Sequence, residues 1–75
     1  LMRSVIGLGC QISDDAHVAD SLLMDGCIVE SGARIEHSVV GRDVVVPHGV
    51  SLRRCVVGDG ATLQSGRAYQ NQKIP

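Results

Sequence analysis

Residues 23–39 read LMDGCIVESGARIEHSV, and the same pattern continues on both sides without a gap. The preceding copy is IGLGCQISDDAHVADSL at 6–22. The following copies are VGRDVVVPHGVSLRRCV at 40–56 and the incomplete VGDGATLQSGRAY at 57–69. Within each copy the large aliphatics recur at steps of six, six and five: Ile6, Ile12, Val18, Leu23, Val29, Ile35, Val40, Val46, Leu52, Val57, Leu63, then Tyr69. Neither a helical period near 3.6 nor a simple two-residue alternation generates that series. A repeat this short signals a solenoid, whose units have no separate cores and are stable only when stacked.

Each six-residue step reads as an inward aliphatic, an outward residue, a two-residue turn, a small inward residue and another outward one. The turn pairs are then Leu8-Gly9, Asp25-Gly26, Arg42-Asp43 and Asp59-Gly60 at one corner. At the next corner they are Asp14-Asp15, Ser31-Gly32, His48-Gly49 and Ser65-Gly66. Gly and Asp gather there because tight corners need dihedrals that β-branched residues resist. The five-residue step drops one turn residue and leaves Arg3, Asp20, His37 and Arg54 as single-residue corners. The small inward slots hold Cys10, Cys27, Val44 and Ala61 on one side, Ala16, Ala33 and Val50 on the next, and Ser4, Ser21, Ser38 and Cys55 on the third. Three sides and three corners per turn make a triangular prism of parallel strands about 4.8 Å apart. The expected fold is therefore all-β, a single-stranded parallel β-helix of about four 17-residue coils over residues 1–69, followed by a tail at 70–75 without repeat character. Leu1 is in register with Val18, so the chain is expected to be a piece of a longer protein.

Composition narrows the function classes. Seven Lys plus Arg against eight Asp plus Glu give no global field to draw nucleic acid or a membrane surface. No apolar run approaches the roughly 18 to 20 residues of a membrane span. A single aromatic residue in 75 argues against base stacking and against an aromatic-lined pocket. Three cysteines without metal-ligand spacing fit a reducing, cytoplasmic setting, with Cys10, Cys27 and Cys55 as free core thiols.

Phrases such as VGDGATL and IVESGARI resemble the hexapeptide repeat of left-handed parallel β-helices, and the left-handed sense is implied by that resemblance. More narrowly, residues 20–63 resemble the C-terminal β-helix of sugar-1-phosphate nucleotidyltransferases of the glucose-1-phosphate adenylyltransferase and mannose-1-phosphate guanylyltransferase type. The resemblance implies an oligomerisation and regulatory domain, with catalysis in a nucleotide-binding domain elsewhere. No glycine-rich phosphate loop stands in this chain, since Gly7-Leu8-Gly9 is explained by a corner. No cofactor, metal or catalytic residue is assigned. The competing readings are a trimeric hexapeptide acyltransferase, using His37 or His17 as a base at a subunit interface, and a non-enzymatic scaffold.

Two surfaces are left for binding. The resemblance implies regulation by a phosphorylated metabolite, for which Arg53, Arg54 and Arg42 are the candidate anion ligands. Alternation along the strands points Val5, Leu22, Val39 and Val56 outward as an apolar stripe, with Ile28 and Val45 as a smaller patch on another wall. The stripe is expected to pack against a second copy, as a dimer or trimer, or against the N-terminal catalytic domain. Arg3 and Asp20, one coil apart, are placed to pair.

Overall fold

The computed structural model describes residues 2–75. Leu1, on which the in-register start rests, lies outside them. Among the described residues there are twelve strands of two or three residues and no helix. They stack into three parallel sheets that form the walls of a solenoid. The first wall comprises β1 (Val5–Ile6), β4 (Leu22–Leu23), β7 (Val39–Val40), β10 (Val56–Val57) and β12 (Lys73–Ile74). The second comprises β2 (Gln11–Ile12), β5 (Ile28–Val29) and β8 (Val45–Val46). The third comprises β3 (His17–Ala19), β6 (Arg34–Glu36), β9 (Ser51–Arg53) and β11 (Ala68–Gln70). Every strand pairing is between residues 17 apart, as in Val5↔Leu22, Leu22↔Val39 and Val39↔Val56. The period in the sequence is thus the height of one coil.

The core follows the six-six-five series. From Val18 to Tyr69 each aliphatic of the series is buried, and Ile6 and Ile12 in the first coil are half-buried because fewer neighbours cover them. The small slots close behind them: Cys27, Ala33, Val44, Val50 and Cys55 are buried, and Cys10 is half-buried. Burial raises the Cys27 thiol above its ordinary pKa, and its Sγ–H donates to the Gly41 carbonyl at 2.9 Å.

The third inward column carries hydroxyls for a reason beyond size. After each single-residue corner, the next backbone N–H points into the prism. Ser4 Oγ accepts it from Ser21 at 3.2 Å, Ser21 Oγ from Ser38 at 3.1 Å, and Ser38 Oγ from Cys55 at 3.1 Å. Each hydroxyl in turn donates to the carbonyl two residues back, at 2.8 Å. Buried donors are thereby satisfied coil by coil. The corners themselves are left-handed: Arg3, Asp20, His37, Arg54 and Asn71 have φ of 46, 51, 48, 51 and 53°. One left-handed residue turns the chain where the other corners need two, at about 1–2 kcal/mol for a non-glycine residue.

One expectation about the C-terminal end is corrected. Residues 70–75 are not a tail outside the repeat. Tyr69 to Ile74 is the next five-residue step, and Lys73–Ile74 pair in parallel with Val56–Val57. Val56 N–H donates to the Gln72 carbonyl at 2.9 Å and Gly58 N–H to that of Ile74 at 2.7 Å. Arg67 falls on a small inward column but is exposed, because a guanidinium has no partner inside the prism. It lies over the Tyr69 ring at 5.3 Å and donates to Gln64 Oε1 at 3.2 Å. The last coil adds no strand to the second wall among the described residues, although Leu63 still reaches the core.

Candidate functional site

The first wall has two outward columns, set by alternation along strands of fixed register. One is Val5, Leu22, Val39 and Val56, ending in Lys73. Val5 is 66% exposed and Val56 49%, while Leu22 and Val39 are half-buried between their neighbours. The second column, two residues on, is Gly7, Met24, Gly41, Gly58 and Pro75. Neither column holds a charged residue below Lys73, so this wall is uncharged over four coils.

Two glycines of the second column, Gly7 and Gly41, are required by the adjacent corner. Asp25 Oδ1 accepts Leu8 N–H at 2.9 Å, and Asp59 Oδ1 accepts Arg42 N–H at 2.8 Å. Each carboxylate folds back over the coil below. A Cβ on Gly41 would stand 2.5 Å from Asp59 Oδ1 and 2.6 Å from its backbone nitrogen. Gly7 is confined in the same way by Asp25. The wall is flat at Gly7 and Gly41 because nothing larger fits at those two positions. A shallow depression of about 320 Å³ runs beside Val5, Leu22, Met24 and Arg42.

Along the opposite edge runs the left-handed corner. Arg3 grips Asp20 through Nε at 2.5 Å and a second guanidinium nitrogen at 3.1 Å, as its position one coil below anticipated. That bond holds the Asp20 carboxyl below its ordinary pKa and raises that of Arg3. His37 Nε2 stands 3.8 Å from the other Asp20 oxygen. A depression of about 460 Å³ lies among Arg3, Asp20, Leu22, His37 and Val39.

The three candidate arginines do not come together. Arg53 ends β9 and Arg54 is the next residue, so both stand at the left-handed corner. Arg42 follows β7 at the other edge of the first wall. Arg54 Nε also donates to Asn71 Oδ1 at 3.1 Å. The histidines remain on three columns: His17 outward on the third wall, His37 at the left-handed corner, and His48 at the corner between the second and third walls. Ile28 and Val45, 36% and 42% exposed, form the smaller patch on the second wall. Sequence reasoning found the first apolar column and overlooked the second. The signal was available, since the residue two beyond an outward position on a strand also points outward.

No curated protein and no solved structure matches the chain. A family model does match, over residues 1–69, and its description is "GlmU-like, C-terminal hexapeptide". That match supports the left-handed hexapeptide sense implied by the resemblance and covers all four copies of the pattern. With its 17-residue coils and three parallel walls, the chain belongs to the GlmU-like C-terminal hexapeptide family.

Proposed function

We propose that this chain is the assembly domain of a sugar-1-phosphate nucleotidyltransferase, and that its first wall is the surface through which it packs. The observation that carries this reading is the wall itself, uncharged over four coils: four aliphatics in strict register beside a column of mostly glycine, with charge at its two edges and at Lys73 on the last rung. A charge-free face of this kind is favoured where a surface is to be covered. The uninterrupted coils support a structural role, since no loop leaves the solenoid to build a pocket of its own. Replacing Leu22 and Val39 together by glutamate should lower the sedimentation coefficient of the parent protein. An unchanged profile would sink the assembly reading. The parent activity is tested separately, by sequencing upstream of Leu1: a glycine-rich nucleotide-binding domain there supports it, and a different catalytic domain removes it.

One observation favours the acyltransferase reading. His37 stands at the rim of the larger depression, 3.8 Å from an Asp20 carboxylate that Arg3 already binds, and an exposed imidazole at such a rim can act as a base. In that case His37→Ala would abolish acyl transfer from a thioester donor by the assembled protein. Equal rates in the two proteins would exclude His37 from the chemistry.

A further inference from the structure

Two cysteines of one inward column stand one coil apart, and the assembly reading does not use them. Cys10 and Cys27 directly precede Gln11 and Ile28, which pair in register, and Gln11 N–H donates to the Cys27 carbonyl at 2.9 Å. We propose that their two thiolates form a binding site for a single copper(I) ion, held in line between the sulfurs of the first and second coils.

The two thiols are copies of each other shifted by one coil. Cys10 Sγ–H donates to the Met24 carbonyl at 3.2 Å, and Cys27 Sγ–H donates to the Gly41 carbonyl at 2.9 Å, in each case 14 residues further along the chain. The same bond made twice gives the same side-chain orientation. The sulfurs are therefore separated by the spacing of neighbouring strands, about 4.8 Å. A disulfide needs its Cβ atoms about 3.8 Å apart, so closing one would pull the two coils together against their ladder bonds. A metal–thiolate bond is about 2.3 Å long, and two of them in line span about 4.6 Å. The coil height that is too long for a sulfur–sulfur bond fits a metal between the sulfurs.

The donor set selects the ion. Among the described residues no group of three or more His, Cys, Asp or Glu side chains could hold a metal, so the four ligands that zinc takes are not assembled. Two soft thiolates by themselves suit copper(I). Binding replaces each S–H bond by an S–Cu bond. Both thiol protons leave to solvent, copper stays monovalent, and the S–Cu–S unit carries one negative charge. Burial raises the Cys27 pKa, but a coordinating thiol is deprotonated by the metal itself. Cys10 is half-buried and Cys27 buried, so the ion reaches the pair past Cys10. Cys55 takes no part, because it stands in the hydroxyl column with its Sγ–H donating to the Arg53 carbonyl at 3.3 Å. A bound ion would clip the first coil, which has one neighbour, to the second.

The repeat supplies its own substitutions for the test. Val44 and Ala61 fill the same column in later coils, so Cys27→Val and Cys10→Ala introduce residues that the column already accepts. Cys55→Ser gives its column the residue found there as Ser4, Ser21 and Ser38. The 75-residue chain and the three variants are loaded anaerobically with copper(I) in competition with a bicinchoninate chelator. The unsubstituted chain and Cys55→Ser should each retain one copper per chain, with two sulfur neighbours in the copper X-ray absorption spectrum. Cys10→Ala and Cys27→Val should retain none. Cys10 is only half-buried, so Cys10→Ala keeps the test decisive even where Cys27→Val lowers stability. Copper should also slow hydrogen exchange at the Gln11 and Gly26 amides, which bond the first coil to the second, and should not do so in Cys10→Ala. Copper retained by Cys10→Ala, one copper shared between two chains, or none retained by the unsubstituted chain would each overturn the site. Equal retention of zinc would overturn it too, since that requires ligands beyond the two thiolates.

Discussion

A serine that looks interchangeable with alanine is held here by two hydrogen bonds. Ser38 Oγ accepts the Cys55 N–H at 3.1 Å and donates to the Glu36 carbonyl at 2.8 Å, and Ser38 is buried. Ser38→Ala should cost about 1–3 kcal/mol, because it leaves a buried N–H facing a methyl group. Ser51→Ala, on the outer face of β9, should stay within about 0.5 kcal/mol; urea unfolding of the two variants measures the difference. The small size of this slot was legible in the sequence, but its hydrogen bonding was not. Size follows from the period, whereas the need for an acceptor arises only once the corner has turned an N–H inward. The Arg3–Asp20 pair gives a second prediction at this scale. Its geometry follows from the 17-residue spacing, and the bond from Arg3 lowers the Asp20 pKa. A lowered folded-state value means stability that is present above the unfolded value, near 3.8, and is lost as pH falls through the folded one. Asp20→Asn should therefore flatten the acid limb of a thermal-unfolding pH profile and leave its shape near neutrality unchanged.

Strand β12 is the element that the sequence concealed. Ile74 follows Tyr69 by the regular five residues, but Arg67 and Gln72 occupy slots that earlier coils fill with small residues, and they mask the continuation. The structure keeps the rung because the backbone ladder does not depend on those side chains: Val56 and Gly58 donate to the carbonyls of Gln72 and Ile74. Arg67 only has to leave the interior, and the Tyr69 ring gives it a surface to lie on. Removing residues 71–75 should thus abolish hydrogen-exchange protection at the Val56 and Gly58 amides. Protection at Val39 and Gly41 should persist, since these bond to Cys55 and Val57 of the retained coil. Uniform loss across all four amides would mean that the solenoid unfolds as one unit and that β12 is no separable cap.

At the scale of the whole molecule, the six-six-five series was sufficient to place the walls, the corners and the apolar column, because each coil repeats the same constraints. It did not by itself show why the second outward column is flat, which depends on the glycines that the corner carboxylates of Asp25 and Asp59 impose at Gly7 and Gly41. The same one-dimensional construction fixes how stability is distributed. Every strand pairs only with the coil above or below it, so the ends have one neighbour and the middle has two. Ile12 and Ile35 are both inward isoleucines of the repeat, one in the first coil and half-buried, the other central and fully buried. Ile35→Ala opens a cavity between two covered coils and should cost about 3–4 kcal/mol, whereas Ile12→Ala, at a coil covered from one side, should cost about 1–2 kcal/mol. The central change also interrupts the stack, so it should abolish amide protection on both sides of β6 in the third wall. The terminal change should loosen only the first coil. Equal losses from the two substitutions, read by denaturant unfolding, would show that the coils do not act as stacked neighbours.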